Sequence, residues 1–319
     1  MQDGARVLVT GAGGFVGRRL VIALSDDPKV GAILALGGVA TTAPKVETGV
    51  ADVTSNELEA AIRTFRPSHI VHLAAKSSVA ASLRDGRGVM DVSVGGALRI
   101  ADGVSMHAPN ARILFASSAE VYGAAFSSGV ELDETSPVAP ANPYARSKLV
   151  AEFLLMDRVH SDASVIVMRP LNHIGPGQDA RFVVPAFAQQ LAEIERGLRA
   201  PEIRVGNLDA QRDFMSVDDV VDAYLRALFL KTVEPGSRDV FNVASGSVRS
   251  IQSVLNDLLS LSAVACSVVV DTDRFRPNDI AITRLSSAKL KVATGWSAKA
   301  EWTALLTSVL DDQRSRLGS

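Results

Sequence analysis

The chain has 319 residues, 47% of them hydrophobic and 21% charged, with a formal net charge of −2. That length allows one large or two ordinary domains, and the near-neutral charge gives no global reason to expect nucleic acid or a membrane as partner, so any phosphate recognition has to be local. Cys266 is the only cysteine, which excludes an intramolecular disulfide, and the five histidines form no ligand cluster, so no metal is expected.

In chain order, short β-branched runs at 6–10, 32–36, 46–50, 69–74, 112–117 and 165–169 read as strands. Amphipathic stretches at 14–25, 55–65, 89–106 and 144–160 read as the helices between them. This alternation predicts an α/β protein with a doubly wound parallel sheet of the Rossmann type. After Arg169 the pattern changes: Pro170, Gly175, Pro176 and Gly177 mark an irregular segment, followed by a helix at 184–197, a return strand at 239–243 and a final helix at 302–314. The expected division is a dinucleotide-binding domain over 1–170 and a smaller α/β substrate lobe over 171–319, with some segments returning to the sheet and the lobe packed over its carboxyl edge. Cys266, in the apolar run 264–270, reads as a buried strand residue. No apolar run reaches transmembrane length, and the first strand leads straight into a glycine turn without a signal-peptide layout, so the expected compartment is the cytoplasm.

Gly11, Gly14 and Gly17 stand three apart between the first strand and the first helix, one residue wider in the first gap than the usual dinucleotide fingerprint. Such a turn points backbone N–H groups and a helix N-terminus at a pyrophosphate, making Gly11, Gly14, Phe15, Val16 and Gly17 candidate cofactor residues. The acidic residue that usually ends the second strand and holds a ribose hydroxyl is missing, since Ala35-Leu36-Gly37-Gly38 stands there. Its absence removes a repulsion against a 2′-phosphate and favours NADP(H) over NAD(H), with Thr41, Thr42 or Lys45 available to contribute. Asp52 and Val53 follow the third strand where an adenine would lie. In His72-Leu73-Ala74-Ala75-Lys76-Ser77-Ser78 the small residues admit the nicotinamide-ribose half, which adds Leu73, Ala74, Ala75 and Lys76, whereas His72 reads as a packed strand histidine.

Asn142-Pro143 reads as an N-cap followed by proline at the first helical position, and Tyr144 and Lys148 project from one face of the helix that follows. A lysine beside a phenol favours the phenolate and lowers its pKa from about 10. With the Ser118 hydroxyl sharing the substrate oxygen, this is a proton-transfer device for interconverting an alcohol and a ketone.

Together, Gly-x-x-Gly-x-x-Gly, His-Leu-Ala-Ala, Ser-Ser-Ala-Glu-Val-Tyr-Gly (117–123) and Asn-Pro-Tyr-x3-Lys resemble the extended short-chain dehydrogenase/reductases, with their nucleotide-sugar epimerases, dehydratases and reductases. The resemblance implies Ser118, Tyr144 and Lys148 as catalytic residues, with Tyr144 and Lys148 also at the cofactor. Arg169-Pro170-Leu171-Asn172-His173-Ile174-Gly175-Pro176-Gly177-Gln178 and the Gly206–Phe214 segment around Asn207, Asp209 and Arg212 look like GDP-4-keto-6-deoxy-D-mannose reductases, and Gly-Asn-Leu-Asp is shared with GDP-mannose 4,6-dehydratases. It places Asn172, Arg212 and Arg276 at the sugar diphosphate, where arginine forks suit phosphate oxygens, with Asp279 orienting Arg276 or holding a ribose. Ser78, Ser118, Val183 and Asn207 complete the implied substrate set. Arg212 has a plainer reading as a surface partner of Asp213 or Asp218, and His173 as a loop-capping residue. Ser93 departs from the pattern, because many relatives carry asparagine there in a proton-relay role.

Glu120 leaves the reaction open: in 4,6-dehydratases a glutamate at this position removes the C5 proton. The expected reaction is reduction of GDP-4-keto-6-deoxy-D-mannose at C4 to GDP-6-deoxy-D-mannose (GDP-D-rhamnose). The alternatives are a nucleotide-sugar 4,6-dehydratase or 4-epimerase and, last, a non-catalytic cofactor-binding regulator. The resemblance also implies a homodimer through a four-helix bundle of the helices at 89–106 and 144–160, with Gly95, Gly96, Ala97 and Ala101 allowing close approach.

Overall fold

Runs such as Val7-Leu8-Val9 and Val165-Ile166-Val167 have no exposure at all, as strands covered on both faces require, and they lie in the middle of one sheet. The computed structural model describes residues 4–38, 43–159, 162–262, 264–275 and 280–318. Thr41, Thr42, Arg276, Asp279 and the expected helix end at His160 lie outside these residues.

The first half comprises β1 (Ala5–Thr10), β2 (Val30–Leu36), β3 (Val46–Gly49), β4 (His69–His72), β5 (Arg112–Ala116) and β6 (Ser164–Pro170). Its helices are α1 (Phe15–Asp26), α2 (Asn56–Phe65), α3 (Val79–Arg84), α4 (Gly86–Met90), α5 (Gly96–His107) and α6 (Pro143–Arg158). The second half comprises β7 (Asn172–Ile174), β8 (Glu202–Val205), β9 (Gln211–Ser216), β10 (Arg238–Val243), β11 (Val248–Ser250) and β12 (Ser267–Val270). With them are α7 (Val183–Glu195), α8 (Val217–Leu228), α9 (Ile251–Ser260), α10 (Ala288–Thr294) and α11 (Trp302–Arg316).

A seven-stranded parallel sheet runs in the order β10-β6-β5-β4-β1-β2-β3, a doubly wound parallel sheet as expected from the sequence, with β10 as the return strand. Alternate residues of β1 face opposite layers: Val7 and Val9 pack with Leu20 and Leu24 of α1 and Val220 of α8, whereas Leu8 packs with Ile62 of α2 and Ile100 of α5. A third core joins α7, α9 and α11 through Leu191, Leu255 and Leu306. Residues after 170 serve both bodies, since β10, α8 and α10 join the sheet and its core while α7, α9 and α11 build their own.

Three sequence expectations change. The helix expected at 89–106 contains a π-turn at Asp91–Gly95 between α4 and α5. Cys266 precedes β12 and is half-buried rather than core, and Val268, Val269 and Val270 are exposed, because among the described residues β12 pairs only with β8. Gly96, Ala97 and Ala101 face inward, where a Cβ on Gly96 would meet the His72 ring at 3.2 Å, so they admit the sheet rather than a partner helix.

One buried ion pair fixes α6. Glu152 accepts from Arg169 Nε at 3.1 Å and Nη2 at 2.6 Å, and also from Ser117 Oγ. Arg169 Nη1 donates to the Tyr122 hydroxyl at 3.0 Å, and that hydroxyl donates to Asn242 Oδ1 at 2.8 Å. The chain of bonds therefore ties α6, β6, the end of β5 and β10 together. Removing one partner strands a charge in the interior, so Arg169→Met is expected to lower stability by about 3–5 kcal/mol in urea unfolding. Combining it with Glu152→Leu should recover part of that loss.

Candidate functional site

The reversal of strand order falls between β1 and β4, and the glycine turn and the segment after β4 meet there. Gly11 holds φ +67°, and a Cβ on it would lie 2.7 Å from the Ala74 nitrogen, so turn and segment touch backbone to backbone. Gly17 carries the same requirement, with 2.2 Å from a Cβ to the Gly11 oxygen. Gly13, outside the spaced triplet, is as constrained: a Cβ there would sit 2.1 Å from the Gly37 oxygen. Gly14 caps α1 without any side-chain bond, leaving the helix start to backbone N–H groups, with Phe15 and Val16 in its first turn. Gly37 has φ +120° and Gly38 φ +75°, a backbone that a ribose-binding carboxylate would strain.

Beneath this turn Thr10 Oγ1 meets His72 Nδ1 at 2.6 Å and accepts from Ala74 N at 3.3 Å. Burial, with Lys148 adding repulsion, pushes His72 down to about 3, so it is a neutral packed residue as the sequence suggested. Leu73, Ala74 and Ala75 are half-buried on the crevice wall. Lys76 pairs with Asp85 at 2.7 Å, Ser78 caps α3 through Ala81 N at 3.2 Å, and Asp52 is exposed and holds the Thr54 N–H and hydroxyl, each at 2.8 Å. Val53 lies beside Gly96, 3.6 Å from its added Cβ.

Across the crevice, the chain after β5 brings Ser118 to the first turn of α6. The Tyr144 hydroxyl faces the Ser118 side chain, which favours its phenolate, and Glu120 N donates to Ser118 Oγ at 3.2 Å. Burial first, offset by Ser118 and reinforced by Glu120, pushes Tyr144 up to about 12. The expected lowering by Lys148 is not found, because its ammonium donates to the Ala116 carbonyl at 2.7 Å and lies over the Phe115 ring. Burial, opposed by Glu152, lowers Lys148 to about 8. Tyr144, Lys148 and Glu152 stand at successive four-residue steps on one stripe of α6. That spacing was the available signal for Glu152, which the sequence reading passed over. Ser93, in the π-turn, is buried and accepts from Ser147 Oγ at 3.2 Å.

The loop after β6 closes against the glycine turn. His173 stacks on Phe15, Arg19 lies over the same ring, bonds the Pro176 carbonyl and pairs with Asp218 at 3.2 Å, and Gly177 N donates to Asp312 at 2.9 Å. Asn172 is exposed, Val183 starts α7, and Asn207 Oδ1 accepts from Asp209 N at 3.0 Å. Arg212 donates to its neighbour's carbonyl at 2.8 Å, while Asp213 is held by Ser245 and Gly246 and Asp218 by Arg19. Among the described residues no group of acidic, histidine or cysteine side chains suits a metal.

Residues 8–309 match the family described as GDP-mannose 4,6 dehydratase. The chain is 32% identical to GDP-6-deoxy-D-mannose reductase of Pseudomonas aeruginosa over 98% of both chains. It is also 32% identical to UDP-glucose 4-epimerase of Mycolicibacterium smegmatis, over 91% of this chain and 93% of the other. The solved structure of RMD from Pseudomonas aeruginosa, complexed with NADPH, superposes with a TM-score of 0.82 at 30% identity, covering 98% of this chain and all of that one. The chain belongs to this family of extended short-chain dehydrogenase/reductases, NAD(P)-dependent enzymes. Gly13→Ala is expected to weaken dinucleotide binding at least about tenfold, one step of about 1.4 kcal/mol, in a fluorescence titration.

Proposed function

We propose that this member of the family reduces GDP-4-keto-6-deoxy-D-mannose at C4 to GDP-6-deoxy-D-mannose, with NADP(H) preferred to NAD(H). The observation that carries the reading is the facing Ser118 and Tyr144 side chains, with Lys148 one turn further along the same helix, in a chain similar along its whole length to a GDP-6-deoxy-D-mannose reductase. The uncapped start of α1, the close backbone contacts of the glycine turn and the absence of a carboxylate after β2 all suit a dinucleotide with a 2′-phosphate. Gly11, Gly14, Phe15, Val16 and Gly17 would hold its pyrophosphate, Asp52 and Val53 its adenine, and Leu73, Ala74, Ala75 and Lys76 its nicotinamide-ribose half. When bound, the nicotinamide supplies the hydride. Tyr144, fully protonated at neutral pH, donates its proton to the forming C4 alkoxide while Ser118 holds that oxygen. Lys148 offers its ammonium to the ribose hydroxyls. Asn172, Val183, Asn207, Arg212 and Ser78, with Arg276 and Asp279, would receive the GDP-sugar. Residues 1–170 would thus hold the cofactor and the proton-transfer pair, and 171–319 most of the sugar-nucleotide contacts, with some of their segments returning to the sheet.

Glu120 beside Tyr144 favours one second reading, a 4,6-dehydratase. Purified protein, NADPH and the keto-sugar separate the two: the reductase consumes NADPH stoichiometrically, whereas conversion of GDP-mannose without added reductant would support the dehydratase. Absence of nicotinamide oxidation with either NADPH or NADH would refute the reduction. Tyr144→Phe should still bind dinucleotide but lose about 10²–10⁴-fold in turnover. In wild type, kcat/KM for the dinucleotide should fall as pH rises through about 8, where Lys148 gives up its proton, while Tyr144 at about 12 stays an acid throughout.

A homodimer is the proposed assembly. Val150 and Phe153 of α6 and Met106 of α5 are exposed on one outer layer, where Arg158 meets Asp102 at 3.8 Å. Phe153→Asp should shift the sedimentation mass from dimer to monomer; an unchanged mass would exclude this face.

A further inference from the structure

Glu120 lies in the 3-10 turn Ala119–Val121, and it bonds Ser118 directly and the N-cap of the helix that carries Tyr144. Its backbone N–H donates to Ser118 Oγ at 3.2 Å, and its Oε2 accepts from Asn142 Nδ2 at 3.0 Å. Asn142 uses its other side-chain atom, Oδ1, to accept from Ala145 N at 2.8 Å, which caps α6 one residue before Pro143 and two before Tyr144. A single amide thus bridges a carboxylate on one element to the first turn of another. Without the carboxylate, Asn142 loses the anchor that orients its side chain, and its cap bond to Ala145 N weakens with it.

We propose that Glu120 is a positioning residue: through Asn142 it holds the first turn of α6 so that the Tyr144 hydroxyl stays in register with Ser118. This role asks only for an acceptor at Oε2 and a backbone N–H, whereas a base that removes a carbon-bound proton needs the carboxylate charge. Glutamine meets the first requirement and fails the second. The inference rests on the proposed reduction for its kinetic readout, but the tether itself is a property of the free protein.

The test compares Glu120→Ala, Glu120→Gln, Asn142→Ser and the double variant Glu120→Ala/Asn142→Ser. Serine keeps a cap acceptor and has no amide to reach Glu120. With NADPH and the keto-sugar, Glu120→Ala should lose about 10²-fold in kcat, the scale of a misplaced reacting group, with little change in KM. Glu120→Gln should restore most of that loss, and the double variant should be no slower than Glu120→Ala, because both substitutions cut one bond. A glutamine variant as slow as alanine, additive losses in the double variant, or an unimpaired Glu120→Ala would each overturn the inference. Hydrogen exchange at the Ala145 amide in the free protein provides the independent reading: it should accelerate in Glu120→Ala and stay protected in Glu120→Gln. If wild type oxidises neither NADPH nor NADH the reduction falls, and the exchange measurement still decides the tether, which unchanged protection in Glu120→Ala would overturn.

Discussion

The buried pairing of Glu152 with Arg169 is the constraint on which the rest of the site depends. A helix packed on a sheet by apolar contacts alone has freedom to slide and roll, because dispersion and burial carry no direction. The guanidinium fork does carry direction: two nitrogens meet two carboxylate oxygens, and Ser117 fills a further lone pair. Desolvation makes such a pair a weak source of net stability, yet any displacement that parts its members leaves a bare charge inside the protein. Rotation of α6 is thereby fixed, and Lys148 and Tyr144, one and two turns back along the same stripe, inherit that fixed position.

At the other wall the device is the opposite one, absence of side chains. Gly11, Gly13 and Gly17 let three backbone segments approach within distances that a methyl group would forbid. The two walls meet over β4, where His72, held neutral by burial, fills the floor between Thr10 and Phe115. A charged histidine there would repel Lys148 across the floor, so its low proton affinity is part of how a buried ammonium is tolerated nearby.

The first-half strands, the glycine turn and the Tyr144–Lys148 stripe were legible because each is local: a buried strand repeats β-branched residues, a turn needs glycine, and a helix face repeats every fourth position. Strands β7, β8 and β11 were not, being three or four residues long with no alternation to read. Val268 to Val270 misled for a physical reason, since apolar composition signals burial only when something lies across from it. The link from Glu152 to Arg169 joins different elements, and nothing in either segment by itself announces the other. Lys148 was misjudged because spacing says that two side chains share a face, not which acceptor the ammonium chooses; here it donates to the Ala116 carbonyl at the end of β5.

Strand β6 is buried at all seven positions, and half of its shelter comes from β10, which arrives only at residues 238–243. A nascent chain that has emerged as far as Pro170 therefore carries its most completely buried strand as an open edge, with an unpaired row of backbone groups ready for any other strand. The intervening residues must form before that edge is closed, so the sheet bearing the first-half motifs matures late and in the company of the second half. Residues 4–170 expressed alone would face aggregation as their first difficulty, before any question of what they bind.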